Sequence, residues 1–371
     1  MILHILSGDL WGGAEAQVLL QLSTLRDHGH AVELLLLNDG AAAARYQEVG
    51  IPCVCLDERA GILKLLQTSL LRYRKNPPEV IVSHGYKEAI LGFILARYLC
   101  RPLITTFHGV GEQYQGVKAA RMACYSLAHR FIARFFAARC ITVSASVASE
   151  LGFSRLKKLE IVHNVVKSET TRASTEQIIL NKQFFTSRPA LVMVGRLVSV
   201  KRVDLAIEAL GKIGGSAAHL YLIGDGDERT ALQSLAQAKG VSERVHFLGF
   251  RTDARDFIRH ADLLLITSDS EGMPTVLLEA ISECTPIVAR NLPGISEVLA
   301  LVPDFPALLV GSPTPERFAI AIERALSQAP AERPRLPALE SFEQHFSPTV
   351  AARRLADIYQ QVREGHETFR Y

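Results

Sequence analysis

Short apolar runs, rich in β-branched residues, alternate along the chain with longer segments in which apolar residues recur at helical spacing. The first example is Ile2–Ser7, which is followed by Ala14–His28. This alternation predicts parallel strands with helices covering both faces of the sheet. The predicted strands are Ile2–Ser7, Ala31–Leu37, Pro52–Leu56, Val80–His84, Leu103–His108, Cys140–Ser144, Leu159–His163, Ala190–Val194, His219–Ile223, Val245–Leu248, Asp262–Thr267, Pro286–Ala289 and Ala307–Val310.

The alternation is interrupted once, by a polar stretch without periodicity from Lys167 to Arg188. We interpret this stretch as a linker, because the pattern of strand and helix resumes after it. The predicted fold is therefore α/β, with two Rossmann-like, doubly wound parallel-sheet domains facing a cleft. The first domain is predicted at 1–170 and the second at 188–346, and a final helix within 347–371 is expected to pack back on the first domain.

Composition narrows the class of protein only slightly. The 371 residues suit two domains of ordinary size, and 41 basic against 38 acidic residues give a net charge of +3. Because a nucleic-acid-binding protein usually shows a stronger basic bias, we expect no nucleic-acid partner. The opening residues lack the basic start of a signal peptide, and no apolar run is long enough to span a bilayer. These features favour a cytoplasmic protein.

Two loops of the first half carry candidate chemistry, because ligands bind beyond the carboxyl ends of parallel strands. Gly12 and Gly13 stand where a helix begins after the first strand, and free N–H groups there attract anions. The motif is not GxGxxG, which disfavours a nicotinamide cofactor. His108, beside Gly109 at the end of the fifth strand, is well placed to line a cleft. The alternatives are a plain glycine-rich turn and a histidine bonded to a neighbouring carbonyl.

In the second half, Arg196 and Lys201 bracket the loop after a strand. Two cations in one loop are suited to a diphosphate, to which arginine offers a planar fork and lysine a point charge. Lys201 is predicted to open the next helix. The alternative is that both side chains are solvated surface charges.

A second loop in this half combines two acids with a helix start. It reads Glu271-Gly272-Met273-Pro274-Thr275, and Glu279 follows inside an apolar helix. Glycine permits close backbone approach, and Pro274 suits the first helical position. A carboxylate on a buried helix needs a partner, so Glu271 and Glu279 are candidates to bind two ends of one ligand. The turns at Gly224–Asp227 and Asn291–Glu297 are further candidates for the cleft wall.

Taken together, these segments resemble the retaining glycosyltransferases of family 4, over nearly the whole chain. The stretch Glu271–Glu279 is similar to the family's E-x7-E motif. Supporting matches are Gly12–Glu15, His108-Gly109, Gly195-Arg196 with Lys201, Gly224–Gly226, Pro293-Gly294 with Glu297, and Phe346-Ser347 before the last helix. One departure stands out: where the family often has Asn-Gly-Val-Asp, this chain has Asn164-Val165-Val166-Lys167.

The resemblance implies a role for each matched residue of the second half. Arg196 and Lys201 would hold the donor diphosphate and stabilise the leaving nucleotide, and Glu279 would bind the ribose hydroxyls. Glu271, with the backbone N–H groups available from Gly272 to Thr275 (Met273 and Pro274 lie between them, and Pro274 has no N–H), would hold the transferred sugar. Members of the family need no metal ion or other cofactor, so none is expected here.

In the first half, the resemblance places His108 near the transferred sugar and Gly13 near the phosphate, with Gly12 beside it. The implied activity is transfer of a hexose from a UDP- or GDP-sugar, with retention at the anomeric carbon. The expected acceptor is a saccharide or a lipid-linked molecule of bacterial surface polysaccharide or glycolipid synthesis. Preorganised cations stabilise the charge that grows on the departing phosphate, which agrees with this activity.

A basic and aromatic stretch from Lys118 to Arg139 adds a hypothesis about localisation. Its cations and its phenylalanines Phe131, Phe135 and Phe136 are typical of a face that lies on an anionic membrane. We expect peripheral contact with the inner face of the cytoplasmic membrane, and the alternative is an ordinary domain helix with a solvated basic face.

Two other functions remain open at this point. One is a sugar-nucleotide epimerase of the same fold, and the other is a non-catalytic protein that binds nucleotide sugars. The basic pair Arg196 and Lys201 together with the E-x7-E motif favours the transferase.

Overall fold

A computed structural model of the chain describes residues 1–9, 11–109, 116–167, 185, 187–214, 217–328 and 337–368. The chain forms two compact units, one of Met1–Val165 with Phe346–Tyr371 and the other of Val166–His345. Each unit contains its own parallel sheet with helices packed on it. The predicted α/β class with two Rossmann-like domains is confirmed. Most of the predicted linker lies outside the described residues.

The sheet of the first unit has the strand order β3-β2-β1-β4-β5-β6-β7 within the described part of the chain, and all its pairs are parallel. Its strands are β1 (Ile2–Leu6), β2 (Val32–Leu36), β3 (Cys53–Cys55), β4 (Val80–Ser83), β5 (Leu103–Phe107), β6 (Arg139–Thr142) and β7 (Leu159–Ile161). The central strands are buried on both faces, which explains why their sequences read as continuous apolar runs.

Helices follow these strands in the order that the periodicity predicts. They are α1 (Gly13–Asp27), α2 (Ala41–Glu48), α3 (Ile62–Tyr73), α4 (Tyr86–Leu99), α5 (Gly116–Phe135) and α6 (Ala145–Glu150). The segment that follows β7 is hydrogen-bonded to α1. The side-chain amide of Gln17 donates to the carbonyl of Val165 at 2.8 Å and accepts from the N–H of Val165 at 2.7 Å. The segment Asn164-Val165-Val166, where the chain departs from the family's usual sequence, is therefore buried, and both backbone groups of Val165 are paired.

The last helix of the chain belongs to the first unit. It is α14 (Pro348–Thr368), and its apolar residues join the core cluster that contains Val18 and Leu22 of α1. Two ion pairs support the same position: Arg354 lies 2.5 Å from Glu160 and Arg363 lies 3.1 Å from Glu79. The helix buries its apolar stripe on a core that includes residues more than 300 positions earlier, among them those of α1.

The sheet of the second unit repeats the arrangement in the described residues, with the order β10-β9-β8-β11-β12-β13 and parallel pairs. Its strands are β8 (Ala190–Val194), β9 (His219–Ile223), β10 (Val245–Gly249), β11 (Leu263–Ile266), β12 (Ile287–Arg290) and β13 (Ala307–Val310). Its helices are α7 (Val203–Lys212), α8 (Arg229–Ala238), α9 (Ala254–His260), α10 (Thr275–Ser282), α11 (Pro293–Ala300) and α12 (Pro315–Gln328).

Three local predictions need correction. Lys201 does not open α7, because it ends a 3-10 turn (Ser199–Lys201), and Arg202 in a left-handed conformation caps the helix. Pro274 is the residue before α10 rather than its first residue. The sequence also did not predict the helix α13 (Pro337–Phe346), which follows the proline-rich stretch and begins with one of its prolines.

The strand order creates a switch point in each sheet. In the first unit β1 pairs with both β2 and β4, and in the second unit β8 pairs with both β9 and β11. The loops that follow the two strands at a switch point diverge, because their helices pack on opposite faces, and the divergence leaves a crevice for ligands.

Candidate functional site

The switch point of the second unit joins the two loops that the sequence singled out. Arg196 and Lys201 follow β8, and Ser268 and Glu271 follow β11. All four line a single narrow recess, although about 70 residues separate the two loops along the chain. The recess therefore collects two cations and one carboxylate where a parallel sheet binds its ligands.

An ion pair between the two loops lines this recess. Nζ of Lys201 lies 2.6 Å from Oε1 of Glu271, and the two side chains are 27% and 11% exposed. The hydroxyl of Ser268 donates to the same carboxylate oxygen at 2.6 Å. A carboxylate with so little contact with water needs such partners, and the pair in turn fixes the position of the lysine ammonium.

Backbone contacts fix the two loops to each other. The hydroxyl of Thr267 donates to the carbonyls of Lys201 at 2.9 Å and Arg202 at 2.8 Å. The N–H of Asp269 donates to the carbonyl of Val200 at 2.8 Å. These bonds hold Lys201 and Glu271 in register, so the recess is preorganised before any ligand arrives.

Glycines in the two supporting turns allow this close packing. Gly224, with φ +135°, lies so near Gly195 that a Cβ would overlap its carbonyl oxygen, and a Cβ on Gly226 would overlap that of Leu197. A Cβ on Gly294 would overlap the carbonyl of Gly272. The turns at Gly224–Asp227 and Asn291–Glu297, which were predicted to form the cleft wall, therefore pack against the loops that carry Arg196 and Glu271.

The second acid of the motif lies deeper in the fold. Glu279 is the fifth residue of α10, one turn beyond Thr275. Burial raises the pKa of its carboxyl group, and the charge of Arg255 opposes that rise. The helix begins immediately after Gly272, Met273 and Pro274, so its N-terminus and the Glu271 loop are continuous.

In the first unit, the predicted glycines form the start of α1. Gly12 caps the helix and donates its N–H to Oε2 of Glu15 at 3.1 Å, and Gly13 is the first, exposed helical residue. The backbone of Gly12 is extended, with φ −146°, which any residue can adopt. Its identity as glycine is therefore not required by the local conformation.

His108 lies at the end of β5, half-buried, and its Nε2 is 3.1 Å from Nδ1 of His84. Burial lowers the pKa of His108 to about 4. His84 was not among the predicted site residues, although His84 shows the same pattern: a histidine before a glycine at the end of β4, the neighbouring strand. That repeat of His-Gly was the available signal.

Glu88 is a second residue that the sequence analysis missed. It lies in the first turn of α4, close to the backbone of Gly85, and it is 5% exposed. Burial raises the pKa of its carboxyl group to about 7. Its place, three residues after a glycine at the end of a strand, is typical of a carboxylate at the start of a helix. Its burial, in contrast, depends on packing and cannot be inferred from that position.

The basic stretch predicted to meet a membrane has two exposed features in the described residues. Leu127, Phe131, Phe135 and Phe136 are between 48% and 66% exposed along and just after α5. An open cavity of about 810 Å³ begins at Arg134 of the same helix, and its basic lining residues are Arg134, Arg139, Arg155, Lys157 and Lys158. The side chain of Lys118 lies outside the described residues. In the described part of the chain, no helix has the length and hydropathy needed to cross a bilayer.

Fold and site together define a class of protein: a pair of Rossmann-like units, the second of which carries a cationic recess at its switch point. Residues 11–170 match the family described as Glycosyltransferase Family 4, and residues 174–336 match the family described as Glycosyl transferases group 1. The chain belongs to the glycosyltransferases of family 4, as the resemblance of its motifs indicated.

Curated relatives carry names from polysaccharide synthesis. The lipopolysaccharide core biosynthesis glycosyltransferase LpsD of Rhizobium meliloti is 32% identical over 59% of this chain and 62% of its own length. LpsE of the same organism is 37% identical over 29% of this chain and 31% of its own length. The lipopolysaccharide glucosyltransferase WaaG of Escherichia coli is 31% identical over 38% of each chain. The matched regions thus span less than two thirds of these relatives.

Solved structures agree with the fold at low sequence identity. HepE from Anabaena, crystallised with UDP, has a TM-score of 0.83 and 21% identity, and the match covers 97% of this chain and 99% of that one. The crystal structure of WaaG has a TM-score of 0.69 and 18% identity, covering 99% of both chains. These similarities support the two-unit Rossmann-like fold.

Proposed function

We propose that the protein is a retaining glycosyltransferase that moves a hexose from a UDP- or GDP-sugar to a saccharide or lipid-linked acceptor in bacterial surface polysaccharide or glycolipid synthesis. The observation that carries this proposal is the recess in which Arg196, Lys201 and Glu271 converge. The names of relatives in lipopolysaccharide core synthesis support the pathway, and the structural neighbour HepE, crystallised with UDP-glucose, supports the class of donor.

Charge explains why this recess suits the donor diphosphate. Cleavage of the bond between the sugar and the phosphate leaves negative charge on the departing nucleotide. Arg196 and Lys201 would stabilise that charge, and the N-terminus of α10 adds partial positive charge beside them. Because these groups supply the positive charge, we propose that transfer needs no metal ion or other cofactor.

The remaining candidates bind the other parts of the donor. Glu271 and the backbone from Gly272 to Thr275 would hold hydroxyl groups of the sugar, and Glu279 those of the ribose. Ionised carboxylates accept hydrogen bonds from paired hydroxyls. From the first unit, His108 would contact the sugar and the N–H of Gly13 the phosphate.

The reaction balances without a covalent nucleophile. The bond from the anomeric carbon to the phosphate oxygen breaks, and a hydroxyl of the acceptor forms a new bond to the same face of that carbon. The proton of the hydroxyl passes to the departing phosphate oxygen. Attack on the face that the leaving group vacates retains the anomeric configuration.

A binding panel tests the donor site. UDP-, GDP-, ADP- and dTDP-sugars are titrated in EDTA against the wild type, Arg196→Ala and the control Arg324→Ala, which alters an exposed arginine of α12. We expect one nucleotide class to raise the melting temperature of the wild type and the control, and Arg196→Ala to lose most of the shift. Equal shifts in all three proteins would contradict the assignment of the recess.

Turnover then separates the transferase from its alternatives. With donor and a saccharide or lipid-linked acceptor, NMR of the product should show a new glycosidic bond with the donor's anomeric configuration. Conversion of the donor sugar without acceptor would indicate an epimerase, and binding without any product would indicate a non-catalytic protein.

We also propose that the first unit contacts an anionic membrane through the exposed face of α5 and the neighbouring basic cavity. The phenylalanines present apolar area, and the five cations match the negative charge of anionic headgroups. A lipid-linked acceptor would be presented at this surface, and the protein would be peripheral at the inner face of the cytoplasmic membrane.

Liposome co-sedimentation tests the membrane contact. Binding should be stronger to anionic than to neutral vesicles and should weaken with salt. Phe131→Ser with Phe135→Ser should reduce it, whereas Leu71→Ser, at a similarly exposed position on α3, should not. Equal binding to both kinds of vesicle would count against the proposal.

A further inference from the structure

Three histidines of the first unit form a continuous chain of ring contacts. Nδ1 of His4 lies 2.8 Å from Nε2 of His84, and Nδ1 of His84 lies 3.1 Å from Nε2 of His108. Neighbouring rings are stacked, with centroids 5.1 Å and 5.3 Å apart. The chain runs from the interior of β1, through the end of β4, to the end of β5, so it links the buried sheet to His108.

Burial keeps these rings neutral. It lowers the pKa of His4 to about 3 and that of His108 to about 4. The pKa of His84 also lies well below its usual value because of burial, and positive charge on His4 or His108 would lower it further. At neutral pH each ring therefore carries a single N–H, on either Nδ1 or Nε2.

Counting protons restricts the chain to two arrangements. Each contact between two ring nitrogens holds one proton, and His84 must donate in one contact and accept in the other because it has only one N–H. If His4 donates from Nδ1, then His84 donates from Nδ1 and His108 also carries its proton on Nδ1. In the reverse direction all three protons are on Nε2. The three rings must share one tautomer, and none of them can change alone.

Among the described residues, the two ends of the histidine chain have no further partner. Nε2 of His4 and Nδ1 of His108 are buried, with no hydrogen-bond partner among the described residues. No competing hydrogen bond among the described residues interrupts the row of three histidines, so the tautomer of His4 determines the tautomer of His108. The ring nitrogens of the chain face each other in pairs, which fixes the ring plane of His108 as well as its tautomer.

We propose that His84 and His4 are positioning residues that hold His108 in one ring orientation and one tautomer for sugar transfer, an assignment that rests on the proposed function. Only His108 belongs to the candidate catalytic residues. His84 and His4 act through it, as outer partners of a metal-bound or catalytic imidazole commonly do.

NMR of the wild type, without substrate, tests the chain independently of the enzymatic function. In two-bond ¹⁵N–¹H spectra, His4, His84 and His108 should show the same tautomer and no titration between about pH 5.5 and 8. His129, which stacks on Phe107 at 3.8 Å and is also buried, provides an internal reference for a neutral ring. A mixture of tautomers among the three rings would overturn the proposal.

Two variants of His84 then separate positioning from general support. The amide of asparagine stands as far from Cβ as Nδ1 of histidine does, and that of glutamine as far as Nε2. His84→Asn should therefore retain the contact with His108, and His84→Gln should retain only the contact with His4.

We expect His84→Gln to lower kcat by about tenfold or more, with a change of less than about twofold in KM for the donor. In the same variant the ring of His108 should show a mixture of its two neutral tautomers, because the contact with His84 that selects one of them is lost. His84→Asn should lose less than about threefold in kcat. Equal effects of the two variants on kcat and on the His108 spectrum would contradict the positioning role. A protein that shows the shared tautomer but transfers no sugar would instead contradict the proposed function.

Discussion

The two units use the same strand order but place different chemistry at their switch points. In the second unit the groups are charged and paired, with Lys201 2.6 Å from Glu271. In the first unit they are neutral histidines joined by shared protons. The second unit has the groups needed to neutralise an anion, whereas the first has groups that fix the direction of hydrogen bonds.

Under the proposed function, this difference would let one fold support two roles. A diphosphate requires positive charge held at a fixed distance, and the cations of the second unit, braced by backbone contacts, would supply it. Orienting a sugar requires defined donors and acceptors, and the buried rings supply these without net charge. Burial is tolerated in the first unit because a neutral imidazole loses less on leaving water than an ion does.

The largest expected effect comes from removing a charge in the second unit. Lys201→Met leaves Glu271 without its cation and deprives the diphosphate of one partner, so kcat/KM should fall by about 10²–10³-fold. The control is Lys212→Met, which breaks an exposed pair 3.2 Å from Glu316 and should leave the rate within about twofold. Similar rates for the two variants, measured by nucleotide release, would remove the distinction between the recess and the surface.

The next effect concerns the backbone at the two switch points. Gly224→Ala forces a Cβ into the carbonyl of Gly195 at a φ of +135°, so it should lower the free energy of unfolding by about 3 kcal/mol and weaken donor binding. At Gly12 the backbone is extended and a Cβ would meet only a side-chain oxygen, 3.2 Å away, so Gly12→Ala should cost less than about 1 kcal/mol. Urea denaturation of both variants, with Gly214→Ala as a control at an open position, measures the contrast. Equal losses for Gly224→Ala and Gly12→Ala would show that the second unit is not braced in this way.

The smallest expected effect is the pH dependence of the free energy of unfolding, which arises from residues of the first unit. Burial depresses the pKa values of His4, His84 and His108. Below about pH 6.5 these three side chains therefore take up protons in the unfolded protein but not in the folded protein. The histidine contribution is therefore fully present above pH 6.5 and is lost as the pH falls. Glu88 acts in the opposite direction. Burial raises the pKa of its carboxyl group to about 7, so the free-energy cost of burying its negative charge disappears as the pH falls. The net loss of stability that these four groups cause between pH 7 and pH 5.5 should be about 2 kcal/mol, and the buried His129, whose pKa is also lowered, should add about 1 kcal/mol.

Glu88→Gln sharpens this result. The variant lacks the opposing carboxyl group, so its loss over the same interval should exceed that of the wild type by about 2 kcal/mol. Hydrogen exchange would locate the change in the first unit. A stability that does not vary between pH 7 and pH 5.5 in either protein would mean that the histidines are not held neutral.

The sequence was a good guide to elements and a partial guide to the site. Parallel strands buried on both faces must be apolar throughout, which is why runs such as Ala190–Val194 and His219–Ile223 could be delimited to the residue. Arg196, Lys201 and Glu271 stood out because they follow strands. Lys201 was assigned to a helix in error, since the left-handed Arg202 that separates it from α7 has no distinctive sequence signal.

His84 and Glu88 show the opposite case. Both stand beside a glycine that follows a strand, which is a local signal, but their burial depends on how α4 and its neighbours pack. A pKa set by burial cannot be inferred from spacing along the chain, because spacing does not specify how much of a side chain remains in contact with water.

The sequence by itself determined the alternation of strands and helices, the division into two units and the residue types in the loops. These follow from local periodicity and from the backbone preferences of glycine and proline. Only the tertiary structure decided that β8 lies beside β11, and β4 between β1 and β5. That order brings Lys201 to Glu271 across 70 residues and His4 to His84 across 80. The physical reason is that pairing of parallel strands depends on how their connecting helices pack, which no short stretch of sequence encodes.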